Sequence, residues 1–153
     1  MDSSAVQILL VDDSPSDVEL TLHALRHNCV LNSVHVAHDG EEALDFIFCQ
    51  GAHAGRSIST QPRLILLDLK LPKVDGIEVL RRLKTTAQLK SIPVVMLTSS
   101  KEEADILRTY ELGVNSYIQK PVDFDQFRAA IGQLGLYWLV VNEPPPASAL
   151  DGQ

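Results

Sequence analysis

Cysteine is scarce in this chain: Cys29 and Cys49 are the only two among 153 residues. They form no C-x-x-C pair and stand beside no histidine cluster at zinc spacing, so they read as reduced thiols of a reducing compartment. Long apolar runs are missing as well. None approaches the roughly 20 residues that a bilayer span needs, so no membrane association is expected. The opening Met1-Asp2-Ser3-Ser4-Ala5 lacks the basic and apolar regions of a signal peptide, which points to a soluble, cytoplasmic protein. Positive charge is in short supply: thirteen Lys and Arg stand against twenty Asp and Glu, a net charge of −7. An acidic chain repels phosphate backbones, and no direct nucleic-acid partner is expected. The five histidines, His23, His27, His35, His38 and His53, show no ligand or relay spacing. What is abundant is apolar: 45% of the residues, which excludes wholesale disorder. A single domain of this length buries roughly 70% of the unfolded chain's surface without a disulfide or metal staple.

Apolar, β-branched runs alternate with helical patterns. Gln7–Val11 is a short apolar run ending in Asp12-Asp13. Ser14-Pro15 then reads as an N-cap followed by proline at the first helical position, with Val18, Leu22 and Leu25 on one face. Val34–Ala37 is a second strand, closed by Asp39-Gly40, and the helix Glu41–Phe48 turns Leu44, Ile47 and Phe48 inward. Residues 49–63 carry Gly51, Gly55, Ser57, Ser59 and Pro62 and read as an exposed insertion. Leu64–Asp68 is the most apolar strand, suited to the centre of a parallel sheet. Ile77, Leu80 and Leu83 mark a helix, Val94–Thr98 a fourth strand, Glu102–Leu112 a helix stopped by Gly113, and Ser116–Ile118 a fifth strand. Asp123 caps a last helix with Phe124, Phe127, Ile131 and Leu134 on one face. Five β-then-α units imply an α/β fold, a parallel sheet with helices on both faces. The layout is a lead at 1–6, one domain at 7–135, and an apolar segment with a proline-rich tail at 136–153.

In such sheets ligands bind outside the carboxyl ends of the strands. The residues there are Asp12, Asp13, Asp68 and Thr98, with Lys120 just past the fifth strand. Each alone has an ordinary reading: an aspartate or threonine at a strand end as a helix cap, a lysine as a solvated charge. The coincidence of all five at one edge favours a site. Three carboxylates packed together repel and need a cation. Oxygen ligands without His or Cys select Mg²⁺, Mn²⁺ or Ca²⁺ over zinc. A nucleophilic oxygen, a metal and a cation are the parts of phosphoryl transfer, and Asp68, alone at the end of the most buried strand, is the natural nucleophile.

Over Ile8 to about Leu134 these residues resemble the receiver domain of two-component response regulators. Asp12-Asp13 matches its acidic pair, Asp68-Leu-Lys-Leu-Pro72 with Asp75-Gly76 its phosphoacceptor strand and loop, and Thr98-Ser99, Tyr117 and Lys120-Pro121 the rest of its signature. The resemblance implies a flavodoxin-like, doubly wound, five-stranded sheet of order 2-1-3-4-5 in a single domain. It implies that Asp68 accepts a phosphoryl group from a histidine kinase. It further implies that Asp12, Asp13, Asp68 and the main-chain carbonyl of Lys70 hold Mg²⁺, Asp12 largely through water. Lys120 then pairs with the phosphoryl oxygens and precedes a cis proline bond, while Thr98 and Tyr117 form the switch. One departure stands out: many relatives carry a neutral side chain where this chain has Lys70. A cation there either competes with Mg²⁺, steadies the phosphoryl group or points to solvent.

The insertion and the ending Leu136-Tyr137-Trp138-Leu139-Val140-Val141 are similar to those of single-domain regulators paired with bacterial phytochromes, many of which dimerise through this region. The resemblance implies a phytochrome kinase as partner and a homodimer through Tyr137, Trp138 and Leu139, a run too apolar for a free tail. Folding back on its own domain is the alternative. No DNA-binding or catalytic output domain is visible, so the surface formed by the helix at 102–112, the last helix and the fifth strand is the expected output face. The protein is read as a signalling phosphoacceptor, not a metabolic enzyme. The rival enzyme reading is a Mg²⁺-dependent phosphatase of the haloacid dehalogenase type, but that family places a second Asp where Lys70 stands. A flavin module is disfavoured because Asp12-Asp13 would repel its phosphate. A scaffold that never receives phosphate fits poorly with the intact five-residue set.

Overall fold

In a computed structural model, which describes residues 8–25, 34–56, 61–99, 114 and 116–136, the apolar runs form the strands. The order is β1 (Ile8–Val11), α1 (Pro15–Leu25), β2 (Val34–Ala37), α2 (Gly40–Ile47), a 3₁₀ turn (Gly51–His53), β3 (Leu64–Asp68), α3 (Gly76–Lys84), β4 (Val94–Thr98), β5 (Ser116–Gln119) and α4 (Phe124–Gln133). All strand pairs are parallel, and the sheet order is β2-β1-β3-β4-β5. The expected flavodoxin-like sheet is therefore present.

Every residue of β1, β3 and β4 is buried. This explains their unbroken apolar sequence: a strand covered on both faces has no solvent side to mark with polar residues. Successive side chains go to opposite faces. Leu9, Val11, Ile65 and Leu67 pack with Leu44, Phe46, Val79 and Leu80 of α2 and α3. Ile8, Leu10, Leu64 and Leu66 pack with Val18, Leu25, Phe127 and Ile131 of α1 and α4. Phe46, which the sequence pattern did not single out, is 2% exposed.

Four caps start the helices where the strands end. Asp17 N–H donates to Ser14 Oγ at 3.3 Å, and Pro15 opens α1 as expected. Asp39, Asp75 and Asp123 accept from the main-chain N–H groups of Glu42, Glu78 and Gln126 at 2.7, 3.0 and 2.8 Å. Such caps contribute about 1 kcal/mol each. The Asp39-Gly40 pair thus starts α2 as well as closing β2. Between β3 and α3 the chain makes a tight turn: Val74 N–H donates to Pro72 O at 2.8 Å across Lys73, whose φ is +68°, a γ-turn geometry. Gly76 is required behind it, because a Cβ there would lie 2.2 Å from Asp68 O.

The helix expected over 102–112, Gln7 at the start of the first strand, and the apolar ending with Tyr137, Trp138 and Leu139 lie outside the described residues. Among the described residues no helix is long and apolar enough to cross a membrane.

Candidate functional site

The four strand-end residues and Lys120 occupy one edge of the sheet. Asp12, Asp68 and Thr98 are three of the four buried polar residues among those described, the other being Thr21. Asp13, beside Asp12, is exposed and lines an open cleft with Lys70, Leu71 and Asp75. Lys120 reaches in from the end of β5, its side chain 9% exposed. Its main-chain N–H donates to Thr98 O at 2.8 Å, which ties it to β4, and its bond to Pro121 is cis, as expected.

The ammonium of Lys120 is the centre of the site. Nζ lies 2.9 Å from Asp12 Oδ2, 2.9 Å from Asp17 Oδ2 and 3.1 Å from Asp68 Oδ2. The contacts with Asp17 and Asp68 are hydrogen bonds. Asp17 was not foreseen from the sequence. It sits in the first turn of α1, where an acidic residue is ordinary because it complements the helix dipole. The available signal was that α1 starts right after the acidic end of β1.

Helix caps and site acids separate cleanly here. Asp39, Asp75 and Asp123 spend a carboxylate oxygen on a helix N-terminus. Asp12 instead holds Ser14 N–H with Oδ1 at 3.0 Å and Asp68 holds Lys70 N–H with Oδ1 at 3.4 Å, and both turn Oδ2 toward Lys120. Burial pushes the Asp68 carboxyl up, and the Asp12 charge adds to it; Lys120 and the Lys70 N–H pull it back, and the balance stands at about 6. Burial alone would lower the Lys120 ammonium, but Asp17, Asp12 and Asp68 outweigh it and hold it above an ordinary lysine.

A divalent cation fits this arrangement. One carboxylate oxygen from each of Asp12, Asp13 and Asp68 lies within 4.8 Å of the others. Asp12 Oδ2 is buried with no hydrogen-bond partner, only the ion pair to Lys120. Three carboxylates contact one ammonium and a fourth, that of Asp13, stands beside Asp12 and Asp68, and an all-oxygen donor set with surplus negative charge suits a hard cation. Lys70 is exposed beside the cleft. Thr98 is 4% exposed at the end of β4, whereas Tyr117 on β5 is 44% exposed.

Comparison with known proteins agrees with this geometry. Residues 8–132 match the response regulator receiver domain. The structure of the bacteriophytochrome response regulator AtBRR is 53% identical, with a TM-score of 0.78 over 90% of this chain and 98% of that one. Response regulator Rcp1 of Synechocystis is 39% identical over 92% of this chain and 93% of its own length; its Mn²⁺-bound crystal structure gives a TM-score of 0.73, covering 93% of this chain and 99% of that one. The phosphorylated cyanobacterial phytochrome response regulator RcpA is 41% identical, with a TM-score of 0.72 over 88% and 94%. These matches support the phosphoacceptor reading and not the haloacid dehalogenase alternative. The chain belongs to the receiver-domain response regulators of two-component signalling, whose members bind a divalent metal and are phosphorylated by histidine kinases.

Proposed function

We propose that Asp68 is the phosphoacceptor and that the donor is the phosphohistidine of a phytochrome-type histidine kinase. The observation that carries this reading is the Lys120 ammonium 3.1 Å from Asp68 Oδ2, inside a group of buried acids. An Asp68 carboxylate oxygen attacks phosphorus, the P–N bond to the kinase histidine breaks, and its electron pair stays on the imidazole nitrogen, which takes up a proton. Lys120 turns from its carboxylate partners to the phosphoryl oxygens, and Thr98 offers its hydroxyl to the same group. Asp12, Asp13, Asp68 and the main-chain carbonyl of Lys70 would hold Mg²⁺, which would supply neutralising charge for phosphoryl transfer. The buried Asp12 Oδ2, which has an ion pair but no hydrogen bond, and the surplus of acid support that assignment. The chain catalyses only its own phosphorylation and hydrolysis.

Phosphorylation adds about −1.5 to −2 charges and new acceptor oxygens. Thr98 gains a partner in one conformation only, and the exposed Tyr117 ring moves into the space that Thr98 leaves. The equilibrium shifts by the difference in these contacts. The switched surface includes β5 and acts on a protein partner in the cytoplasm, where ATP-fed kinases work. Tyr137, Trp138 and Leu139 form a homodimer contact; sedimentation should show a dimer that Trp138→Ala weakens, and a wild-type monomer at working concentration would contradict it.

The test of the site is labelling by acetyl phosphate and by candidate photoreceptor kinases in red and far-red light. Wild-type protein should gain one phosphoryl group in Mg²⁺, and Asp68→Asn none while remaining folded. Labelling that persists in Asp68→Asn would refute the assignment. Transfer that does not differ between the two light conditions for any phytochrome kinase would refute the partner and leave the phosphoacceptor standing.

A further inference from the structure

The phosphoacceptor reading leaves the insertion at 49–63 without a role, yet its described part is tied down. Arg56 donates through Nη1 to the carbonyl of Phe46 and lies over the Phe46 ring, 3.6 Å from its centroid. Gln61 Nε2 donates to Ile47 O at 2.7 Å. These bonds draw the insertion onto the end of α2 and bring His53 of the 3₁₀ turn to His35 of the edge strand β2 and Glu42 of α2. The two imidazole rings stand perpendicular, with centroids 5.3 Å apart, and His35 stacks on Phe46 at 4.3 Å. One ring nitrogen from each histidine and one Glu42 carboxylate oxygen all lie within 4.8 Å of one another.

One feature besides the grouping itself points to a ligand. His35 Nε2 is shut away from solvent with no hydrogen-bond partner; a buried polar atom in that condition is uncommon and marks the place of a water or an ion. Glu42 Oε1 accepts from the main-chain N–H of His38 at 2.9 Å, which with the Asp39 cap fixes the start of α2 and the position of this carboxylate. Two imidazoles and one carboxylate are a donor set for zinc-type ions, leaving a fourth position for water. Bonds of about 2.0–2.1 Å place tetrahedral ligands about 3.3 Å apart, so the three atoms need to close by at most about 1.5 Å, within reach of side-chain torsions. Arg56 opposes a cation here, and the Glu42 carboxylate offsets it. The oxygen-only acid group at the sheet edge prefers Mg²⁺, so the two sites differ in chemistry as well as in place.

We propose that His35, Glu42 and His53 bind a divalent zinc-type ion that pins the insertion onto the edge strand of the sheet. The test is Zn²⁺ competition against a chromophoric chelator, on the full chain, with excess Mg²⁺ to fill the acid site. Wild-type protein should bind one equivalent of Zn²⁺ and gain thermal stability. His53→Ala and Glu42→Gln should each weaken binding at least tenfold and abolish the thermal shift, while His38→Ala and Asp68→Asn change neither. His53 is in a surface turn, so its replacement leaves the fold intact, as circular dichroism would verify. Zn²⁺ affinity that survives His53→Ala, that is lost in Asp68→Asn, or that is absent from the wild type would overturn the proposal.

Discussion

Two ion clusters in this molecule are built from inverted parts. At the sheet edge one ammonium, Lys120, is surrounded by the carboxylates of Asp12, Asp17 and Asp68. On the outer side of α3 one carboxylate, Glu78, accepts from Arg81 Nε at 3.0 Å and Arg82 Nε at 2.9 Å. Both acids have cations in contact, but they respond in opposite directions. Hydrogen bonds from Arg81 and then Arg82 hold Glu78 down at about 2, while burial carries Asp68 up to about 6 despite Lys120. A neighbouring cation therefore does not by itself decide an acid's strength. Desolvation decides it at the sheet edge, and that cluster stores unfavourable negative charge that a divalent metal can relieve. The cluster on α3 is solvated and stores nothing.

The contrast can be broken or sharpened by substitution. Lys120→Met has the largest expected effect: removing one partner of a buried ion cluster costs about 3–5 kcal/mol, read by urea unfolding in chelator, with part of it recovered in Mg²⁺. A loss no greater than that of Glu78→Gln would erase the distinction. Gly76→Ala comes next, because its Cβ would meet the Asp68 carbonyl at 2.2 Å; overpacking of this kind costs about 1–3 kcal/mol and should slow phosphorylation as the loop shifts. Glu78, two residues further along the same helix, is the internal control.

The pH dependence follows from the raised Asp68 value. The folded carboxyl binds its proton more tightly than the unfolded one, so its ionisation in the fold becomes unfavourable as pH rises above about 4 and fully so above about 6. In chelator this residue should lower stability by on the order of 3 kcal/mol across that window, and Asp68→Asn should remove that slope and be more stable at pH 7. Asp17→Asn, at a half-buried position, should change stability by less than about 1 kcal/mol while altering the phosphorylation rate, because it frees Lys120 from one competing partner. Glu78→Gln should leave both the unfolding midpoint and the labelling rate unchanged; a clear drop in the midpoint would show that the surface cluster contributes more than its solvation allows.

Much of this was legible in the sequence for a physical reason. Asp12, Asp68, Thr98 and Lys120 each end, or directly follow, an apolar run, and parallel topology brings those ends to one edge. The 2-1-3-4-5 order came through the receiver signature rather than from periodicity. Asp17 was not legible, because an acid in a first helical turn looks the same whether it faces solvent or Lys120. The grouping of His35, Glu42 and His53 was hidden too: they come from a strand, a helix and a loop, and no linear spacing relates them. Phe46 was missed because the inward stripe of α2 is wider than the pattern Leu44, Ile47 and Phe48 suggested.

The most direct measurement of the central claim is chemical trapping of the phosphorylated residue. After brief exposure to acetyl phosphate with Mg²⁺, borohydride reduction converts an aspartyl phosphate to homoserine, and peptide mass mapping locates it. The account predicts homoserine at position 68, lost when the metal is chelated and strongly diminished in Lys120→Met. A modification at another residue, or equal trapping at position 68 without a divalent ion, would contradict it.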